Sequence, residues 1–313
     1  MMQKFANFND TNTIKRLILI VIVLIGVMLV SFAGYYYWDR YVHLGDVSPL
    51  ERNITHLEQV ARENPENADV RLELAQYYLE HGKYQQAIEQ ANQVSKAFPE
   101  NDGALFIAGL AYTRSGQAEQ ALEPLTKFIA IHEGGEMAHI DTMLEAALFF
   151  LGQNYLSMGE YDHAEKVLQQ ALAINRTDAD AMYQLGLAYA KMGRHDLAIE
   201  QLENAVRFVP DFAEAYSQMT ESYTALGQTE RTVYARGMVA YAMKEFPQAR
   251  QLLEEAAAKL DDFYPVYLGL GMTLEKLGEN ELARESYHRV LELDPDNFTA
   301  YHALSRLGQD SGN

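Results

Sequence analysis

The sequence contains no cysteine, one tryptophan and eight prolines among 313 residues. Without cysteine the chain has no disulfide, no thiolate nucleophile, no zinc finger and no site for covalent haem attachment. Basic residues are also scarce, because 25 Lys and Arg stand against 44 Asp and Glu and give a formal net charge of −19. Such an acidic chain repels nucleic-acid phosphates and anionic lipid headgroups. We therefore expect no nucleic-acid partner.

Catalytic motifs are missing as well. The sequence has no Gly-rich phosphate loop, no GxSxG elbow and no visible constellation of Ser, His and Asp. One cluster has the residue types of a metal site, and its members are His132, Glu133, Glu136, His139 and Asp141. Two glycines interrupt the cluster and no HExxH spacing is present, so we expect a solvated loop there. We predict that the protein is not an enzyme and needs no cofactor, metal or small-molecule substrate.

One long apolar run lies near the N-terminus. Residues 17–33, LILIVIVLIGVMLVSFA, contain no charged side chain, and three tyrosines and Trp38 follow closely. As a helix, the 21 residues that end at Trp38 would span roughly 31 Å, enough to cross a hydrocarbon core of about 30 Å. Aromatic rings suit the membrane interface. We predict a transmembrane helix at 17–38, after a short tail at 1–16 and before a linker at 39–50.

Two questions stay open for this segment. Residues 31–33 have the small-x-small pattern of a signal-peptide cleavage site, so a cleaved signal peptide is the alternative to an anchor. Three basic residues precede the run, and Arg40 and Arg52 follow it, which favours a cytoplasmic N-terminus under the positive-inside rule. We expect a single-pass protein of the bacterial inner-membrane type, with the rest of the chain outside the cytoplasm. The opposite topology is the alternative.

A pattern of small and apolar residues repeats along the remainder of the chain. Between Ala179 and Pro210, one set of residues at helical spacing is followed by Gly193 and then by a second set. The two sets are Met182, Leu185, Gly186 and Tyr189, then Ala198, Leu202 and Ala205. This spacing predicts a helix, a turn and a second helix that pack against each other.

The repeated pattern resembles the tetratricopeptide repeat, whose period is about 34 residues. The resemblance implies an all-α fold, an α-solenoid of helix-turn-helix repeats over residues 51–307, preceded by the transmembrane helix. We expect repeats that start near residues 68, 102, 145, 179, 213, 230 and 264, with capping helices at 51–64 and 298–307 and a tail at 308–313. Because the fifth and sixth starts are only half a period apart, the helix near 230–244 should belong to two successive pairs.

In tetratricopeptide arrays, positions 2, 5, 9 and 12 of each first helix line a concave groove that binds peptides. Carried onto this chain, those positions give the partner-binding residues Leu72, Gln76, Leu79, Phe106, Leu110, Thr113, Phe149, Gln153, Leu156, Tyr183 and Leu187. Three aromatic residues in this set favour a groove that receives an apolar segment of another protein. The alternative is that these rings pack on neighbouring helices.

Taken together, these patterns predict a membrane-anchored scaffold or adaptor that binds a partner polypeptide in the groove. Its expected role is in the assembly or maturation of a membrane or envelope complex, by analogy with anchored tetratricopeptide proteins of similar layout. The alternative function is a regulatory subunit of an enzyme complex, such as a glycosyltransferase or a protease. The sequence does not identify the partner.

Overall fold

The computed structural model describes residues 11–38 and 49–310. The regular structure of these residues consists of sixteen α-helices and a 3-10 turn at Ala138–Ile140. The helices are α1 (Thr11–Tyr37), α2 (Pro49–Glu63), α3 (Ala68–Glu80), α4 (Tyr84–Ala97), α5 (Asp102–Arg114), α6 (Ala118–His132), α7 (Thr142–Met158), α8 (Tyr161–Ile174), α9 (Ala179–Lys191), α10 (His195–Phe208), α11 (Ala213–Ala225), α12 (Thr229–Ala242), α13 (Phe246–Ala257), α14 (Tyr264–Leu277), α15 (Asn280–Leu293) and α16 (Phe298–Asp310). The all-α prediction is therefore confirmed.

The chain divides into two compact units, residues 1–74 and 75–313. The first unit contains α1, whose stretch Ile18–Tyr37 has a mean hydropathy of 2.8 and exposed side chains. By length and composition this helix is either a membrane span or a signal sequence. The only tryptophan of the sequence, Trp38, follows it directly and is 49% exposed.

Later in the first unit, polar contacts set the start of α3. The side-chain oxygen of Asn67 accepts hydrogen bonds from the backbone N–H groups of Asp69 and Val70, at 3.0 and 3.3 Å. This arrangement caps the N-terminus of α3. Arg71 Nε donates to the carbonyl oxygen of Pro65 at 2.7 Å, which fixes the loop between α2 and α3.

In the second unit every helix from α4 to α15 packs against the helix that follows it. First helices of successive pairs also touch, and the touching helices are α5 with α7, α7 with α9, α9 with α11, and α12 with α14. Each hairpin therefore buries its apolar face against its neighbours, as expected for a solenoid in which no single repeat could stand alone.

Glycines allow the two helices of a pair to approach closely. A Cβ atom added to Gly186 would lie 2.9 Å from Leu202 Cγ, so any side chain at this position would displace the leucine. Four other glycines meet a large side chain sixteen residues later in the same way. These pairs are Gly109 with Leu125, Gly152 with Leu168, Gly237 with Leu253 and Gly271 with Tyr287.

The turn within each pair uses a residue in the left-handed region. Gly193, between α9 and α10, has φ 75°, and glycines hold the equivalent turn in five other pairs. Between α12 and α13 the residue with positive φ is Lys244, at 64°, where a side chain is conformationally costly. Because Gly227 stands before α12 and Lys244 after it, α12 is the second helix of one pair and the first helix of the next.

The segment between α6 and α7, where the repeat starts near 102 and 145 are separated by more than one period, is held by a histidine. The His132 ring stacks on Phe128 with a centroid distance of 4.1 Å, and its Nδ1 lies 2.7 Å from Asp141 Oδ2. Its Nε2 lies 3.4 Å from Asp102 Oδ2 at the start of α5. Asp141 also caps α7 by accepting from the backbone N–H groups of Met143 and Leu144. Within the cluster considered as a metal site, His132 and Asp141 therefore join three helices.

Candidate partner-binding groove

The residues expected to line the groove lie mainly on three first helices of the second unit. We define the stripe as Phe106, Leu110 and Thr113 on α5, Phe149, Gln153 and Leu156 on α7, and Tyr183 and Leu187 on α9. Gln153 is exposed, and the other members are half-buried. Gln76 and Leu79 occupy the same positions on α3, where Gln76 is exposed and Leu79 half-buried. Leu72 is half-buried and belongs to the first unit.

Helical geometry explains why the stripe remains accessible. On α9 the core positions are buried, with Met182 at 7%, Leu185 at 3% and Tyr189 at 6% exposure. Tyr183 and Leu187 follow a different line along the same helix and so keep part of their surface in solvent. Since α5, α7 and α9 contact one another in succession, their stripe residues form adjacent rows on the second unit.

The three aromatic rings of the stripe are packed on one side. Phe106 lies 5.2 Å from the Phe128 ring and Phe149 lies 5.2 Å from the Phe150 ring, as centroid distances. The Tyr183 ring lies 5.1 Å from the ring of Phe212. These contacts hold the rings in place, as the packing alternative expects, while each of the three residues stays partly exposed. A ring fixed in this way loses little conformational entropy when a ligand covers it.

Thr113 has a structural contact that the spacing did not predict. Its hydroxyl accepts a hydrogen bond from Asn154 Nδ2 at 2.7 Å and donates to the carbonyl oxygen of Gly109 at 2.9 Å. Asn154 is 3% exposed, so this bond joins α5 to α7 inside the stack. The Thr113 hydroxyl therefore makes both of its hydrogen bonds within the protein.

Carboxylates gather where α7, α9 and α11 begin, and we call this group the acidic edge: Glu145, Asp178, Asp180 and Glu214. Burial, followed by the hydrogen bond and charge of Asp178, raises the pKa of Glu145 to about 7. Burial and the charges of Asp178 and Glu214 raise the pKa of Asp180. The pKa of the Tyr183 hydroxyl is raised by burial and then by Glu214 and Glu221. The stripe therefore lies in a region of negative potential around Tyr183.

Sequence reasoning did not find the acidic edge. Its signal was present, since Glu145, Asp180 and Glu214 occupy the first or second position of three successive repeats. Acidic residues in a first helical turn are common because they complement the helix dipole, and so the pattern carried no specific meaning.

The Glu145→Gln substitution should make stability less dependent on pH. The pKa of Glu145 is raised from 4.5 to about 7 in the folded state, so its stabilising contribution is complete below about pH 4.5 and lost as the pH rises through 7. The free energy of unfolding of the variant should match that of the parent near pH 4 and exceed it by about 1 kcal/mol near pH 8, a figure reduced for solvent screening. Thermal melts across this pH range measure the difference. Glu119→Gln, an exposed first-turn carboxylate on α6, is the control, and equal pH profiles for parent and Glu145→Gln would contradict the prediction.

Within the described residues no group of three His, Cys, Asp or Glu side chains is arranged to hold a metal ion.

Protein-family models match the second unit and the end of the first. Tetratricopeptide repeat models match residues 54–104 and 240–307, 103–133, and 179–212, and a model described as TPR repeat matches 152–193. This chain belongs to the tetratricopeptide repeat (TPR) family. TPR proteins are typically protein-interaction scaffolds, so protein partners are the class expected for this one.

Several solved structures are similar to this TPR protein. A crystal structure of MamA has 31% sequence identity, covers 59% of this chain and 97% of its own, and has a TM-score of 0.44. YrrB, described as a TPR protein with an unusual peptide-binding site, has 18% identity, covers 79% of this chain and 96% of its own, and has a TM-score of 0.43. A TPR protein from Parabacteroides merdae has 16% identity, coverages of 87% and 97%, and a TM-score of 0.48. No curated protein sequence gives a significant match.

Proposed function

We propose that this TPR protein is a membrane-anchored adaptor that binds an amphipathic segment of a partner polypeptide along the stripe. The observation that carries the proposal is the row of half-exposed aromatic and aliphatic side chains on α5, α7 and α9. Apolar side chains at helical spacing on successive first helices offer anchoring contacts to one bound segment.

The acidic edge adds a requirement on the partner. The acidic edge lies at the starts of α7, α9 and α11, and the first two of these helices also carry stripe residues. The whole chain has a formal charge of −19. A bound segment with Lys or Arg beside its apolar residues would complement this edge, which favours correct partners and speeds association. We therefore propose a basic amphipathic segment as the ligand.

The apolar helix α1 would serve as the anchor. Its 20-residue stretch Ile18–Tyr37 is long enough to span a bilayer, and tyrosines followed by Trp38 end it. In our proposal the N-terminus is cytoplasmic and the repeats lie outside the cytoplasm, where they would assist the assembly or maturation of a membrane or envelope complex. A cleaved signal peptide would release the repeats instead.

Site-specific photo-crosslinking in native membranes tests both parts of this proposal. Benzoylphenylalanine would replace Phe106, Phe149 or Tyr183 in turn, and the membranes would be washed in alkaline carbonate before analysis. We expect one and the same adduct from all three positions, on a protein that stays in the washed membranes at its full-length mass. The matched controls are Phe98 and Phe208, which are 51% and 47% exposed and lie outside the stripe.

The outcomes separate the alternatives. If the control positions gave adducts as strong as those from the stripe, or if no position gave an adduct, the proposed binding of a partner along the stripe would be overturned. Release by carbonate with loss of the first 33 residues would show a signal peptide in place of an anchor. Identification of the crosslinked protein as a stoichiometric enzyme would favour the regulatory-subunit function over complex assembly.

A further inference from the structure

A second concavity of the 75–313 unit lies at the point where α12 belongs to two pairs. It has a volume of 540 Å³ and is lined by α10, α12 and α14 and by the loops that precede α14 and α16. Tyrosines on α11, α12 and α14, namely Tyr216, Tyr234 and Tyr264, contribute to its wall, and we call it the tyrosine pocket. Its size falls within the range of about 300–1,000 Å³ that is usual for ligand sites.

The repeat register places groove positions inside this pocket. Tyr234 and Met238 are positions 5 and 9 of the unit that starts near 230, and Leu268 and Met272 are the same positions of the unit that starts near 264. In α5, α7 and α9 these positions belong to the stripe. Gly269 allows α12 to approach α14, since a Cβ atom there would lie 2.4 Å from Met238 Sδ. The pocket therefore uses equivalent positions in a more enclosed setting.

The pocket carries more negative than positive charge. Four of its lining residues are acidic, Glu203, Asp262, Asp294 and Asp296, and Arg207 is basic. A second arginine nearby, Arg231, is held with its guanidinium 4.9 Å from the centre of the Phe263 ring. These two arginines offset only part of the acidic charge.

Glu203 is a half-buried carboxylate of the pocket wall. Its Oε1 accepts a hydrogen bond from the Tyr223 hydroxyl at 3.1 Å. Burial nevertheless raises the pKa of Glu203, although the Tyr223 hydrogen bond and the charges of Arg231 and Arg207 oppose the rise. A cation brought into the pocket would stabilise the charged form of this carboxylate.

Aromatic faces complete the chemistry of a cation site. Tyr264 begins α14, and Phe298, which is 73% exposed, begins α16. The Phe263 ring, just before α14, already has Arg231 over it. Carboxylates combined with aromatic rings are the surroundings in which a guanidinium or ammonium group binds well. The methionine and leucine side chains of the wall suit an apolar neighbour of that cation.

We infer that the tyrosine pocket binds an arginine or lysine side chain of a partner polypeptide, together with an adjoining apolar residue. This inference rests on the proposed function in one respect, that the ligand is a polypeptide. It adds a site that the stripe does not include and makes the positive charge of the ligand the main determinant of its affinity.

Binding of two matched peptides to the full-length protein in detergent tests the inference. Both are fluorescein-labelled octapeptides with the sequence Gly-Ser-Leu-Phe-X-Leu-Phe-Ser, where X is arginine or its neutral isostere citrulline. Fluorescence anisotropy should show the arginine peptide binding about tenfold more tightly than the citrulline peptide. The combined variant Glu203→Gln and Asp294→Asn should reduce this ratio to about one, whereas Glu285→Gln, an exposed carboxylate on α15, should leave it unchanged.

The stripe variants distinguish this inference from the proposed function. The double variant Phe149→Ala and Tyr183→Ala should weaken the binding of both peptides equally, or of neither, and so preserve the ratio of their affinities. Loss of that ratio in this variant would place the cation on the stripe and overturn the assignment to the pocket. A ratio near one in the parent, a ratio unchanged by the pocket variant, or no binding of either peptide up to about 1 mM would also overturn it. Benzylamine, a free cation, should compete only weakly with the arginine peptide for binding. Saturable binding of benzylamine without the arginine peptide would assign the pocket to a small molecule instead.

Discussion

Leu202→Ala is expected to destabilise the repeat stack by about 3–4 kcal/mol. Leu202 is fully buried and fills the space opposite Gly186, where no side chain can replace the atoms that are lost. It also belongs to the largest apolar cluster of the chain's second unit, with Ala215, Tyr216 and Met219. Removing three carbons from such a site costs the transfer free energy and leaves a cavity as well.

Thermal unfolding followed by circular dichroism measures this effect, with an expected decrease in the midpoint of roughly 6–12 °C. The matched control is Leu197→Ala on the same helix, because Leu197 is 41% exposed and should change stability by less than about 0.5 kcal/mol. Equal losses in the two variants would mean that the packing opposite Gly186 does not determine the stability of this pair.

Gly271→Ala should also destabilise the protein, by about 2 kcal/mol, although alanine is the better helix former. A Cβ atom at this position would lie 2.7 Å from Cε1 of Tyr287 and 2.9 Å from two further ring carbons. Tyr287 is 1% exposed, and its hydroxyl donates to Glu275 Oε2 at 2.6 Å, so the ring has no free direction in which to move. Because the ring cannot move aside, the overpacking cost lies near the upper end of its usual range, at about 3 kcal/mol. Subtracting the gain in helix propensity of about 1 kcal/mol leaves the net loss of about 2 kcal/mol.

Two further variants make the Gly271 result specific. Gly308→Ala on α16 is the control for helix propensity, because nothing lies within 4 Å of the added Cβ atom, and it should be neutral or slightly stabilising. In a Tyr287→Ala background the same Gly271 substitution should be nearly neutral. The first complete pair supports this expectation, since Ala75 occupies the glycine position there and the residue sixteen places later is Ala91. A cost that persists without the Tyr287 ring would refute the clash.

The fold could be predicted from the sequence because its determinants are local and repeated. A small residue on a first helix, a large one sixteen residues later and a turn glycine between them recur in four hairpins, as Gly186, Leu202 and Gly193 show. Lys244 departs from this pattern, yet the residues on either side of it keep the register and the turn forms with the same backbone conformation. Repetition thus compensates for single departures from the consensus.

The candidate site was less accessible to sequence reasoning, for a physical reason. The stripe positions follow from helical periodicity, and the structure leaves Phe106, Phe149 and Tyr183 partly exposed; their role in binding stays a prediction. The tyrosine pocket depends on residues from Glu203 to Thr299 that only the packing of several helices brings together. No spacing in the sequence records that convergence.

The position of the lone indole has a practical consequence. Trp38 follows α1, outside the repeats of the 75–313 unit, while buried tyrosines such as Tyr223 and Tyr287 belong to those repeats. Selective excitation of tryptophan therefore reports the surroundings of the end of α1, whereas tyrosine absorbance and near-ultraviolet dichroism chiefly follow the repeats. Spectroscopy on the unmodified protein can thus follow the N-terminal helix and the unfolding of the repeats as two separate signals.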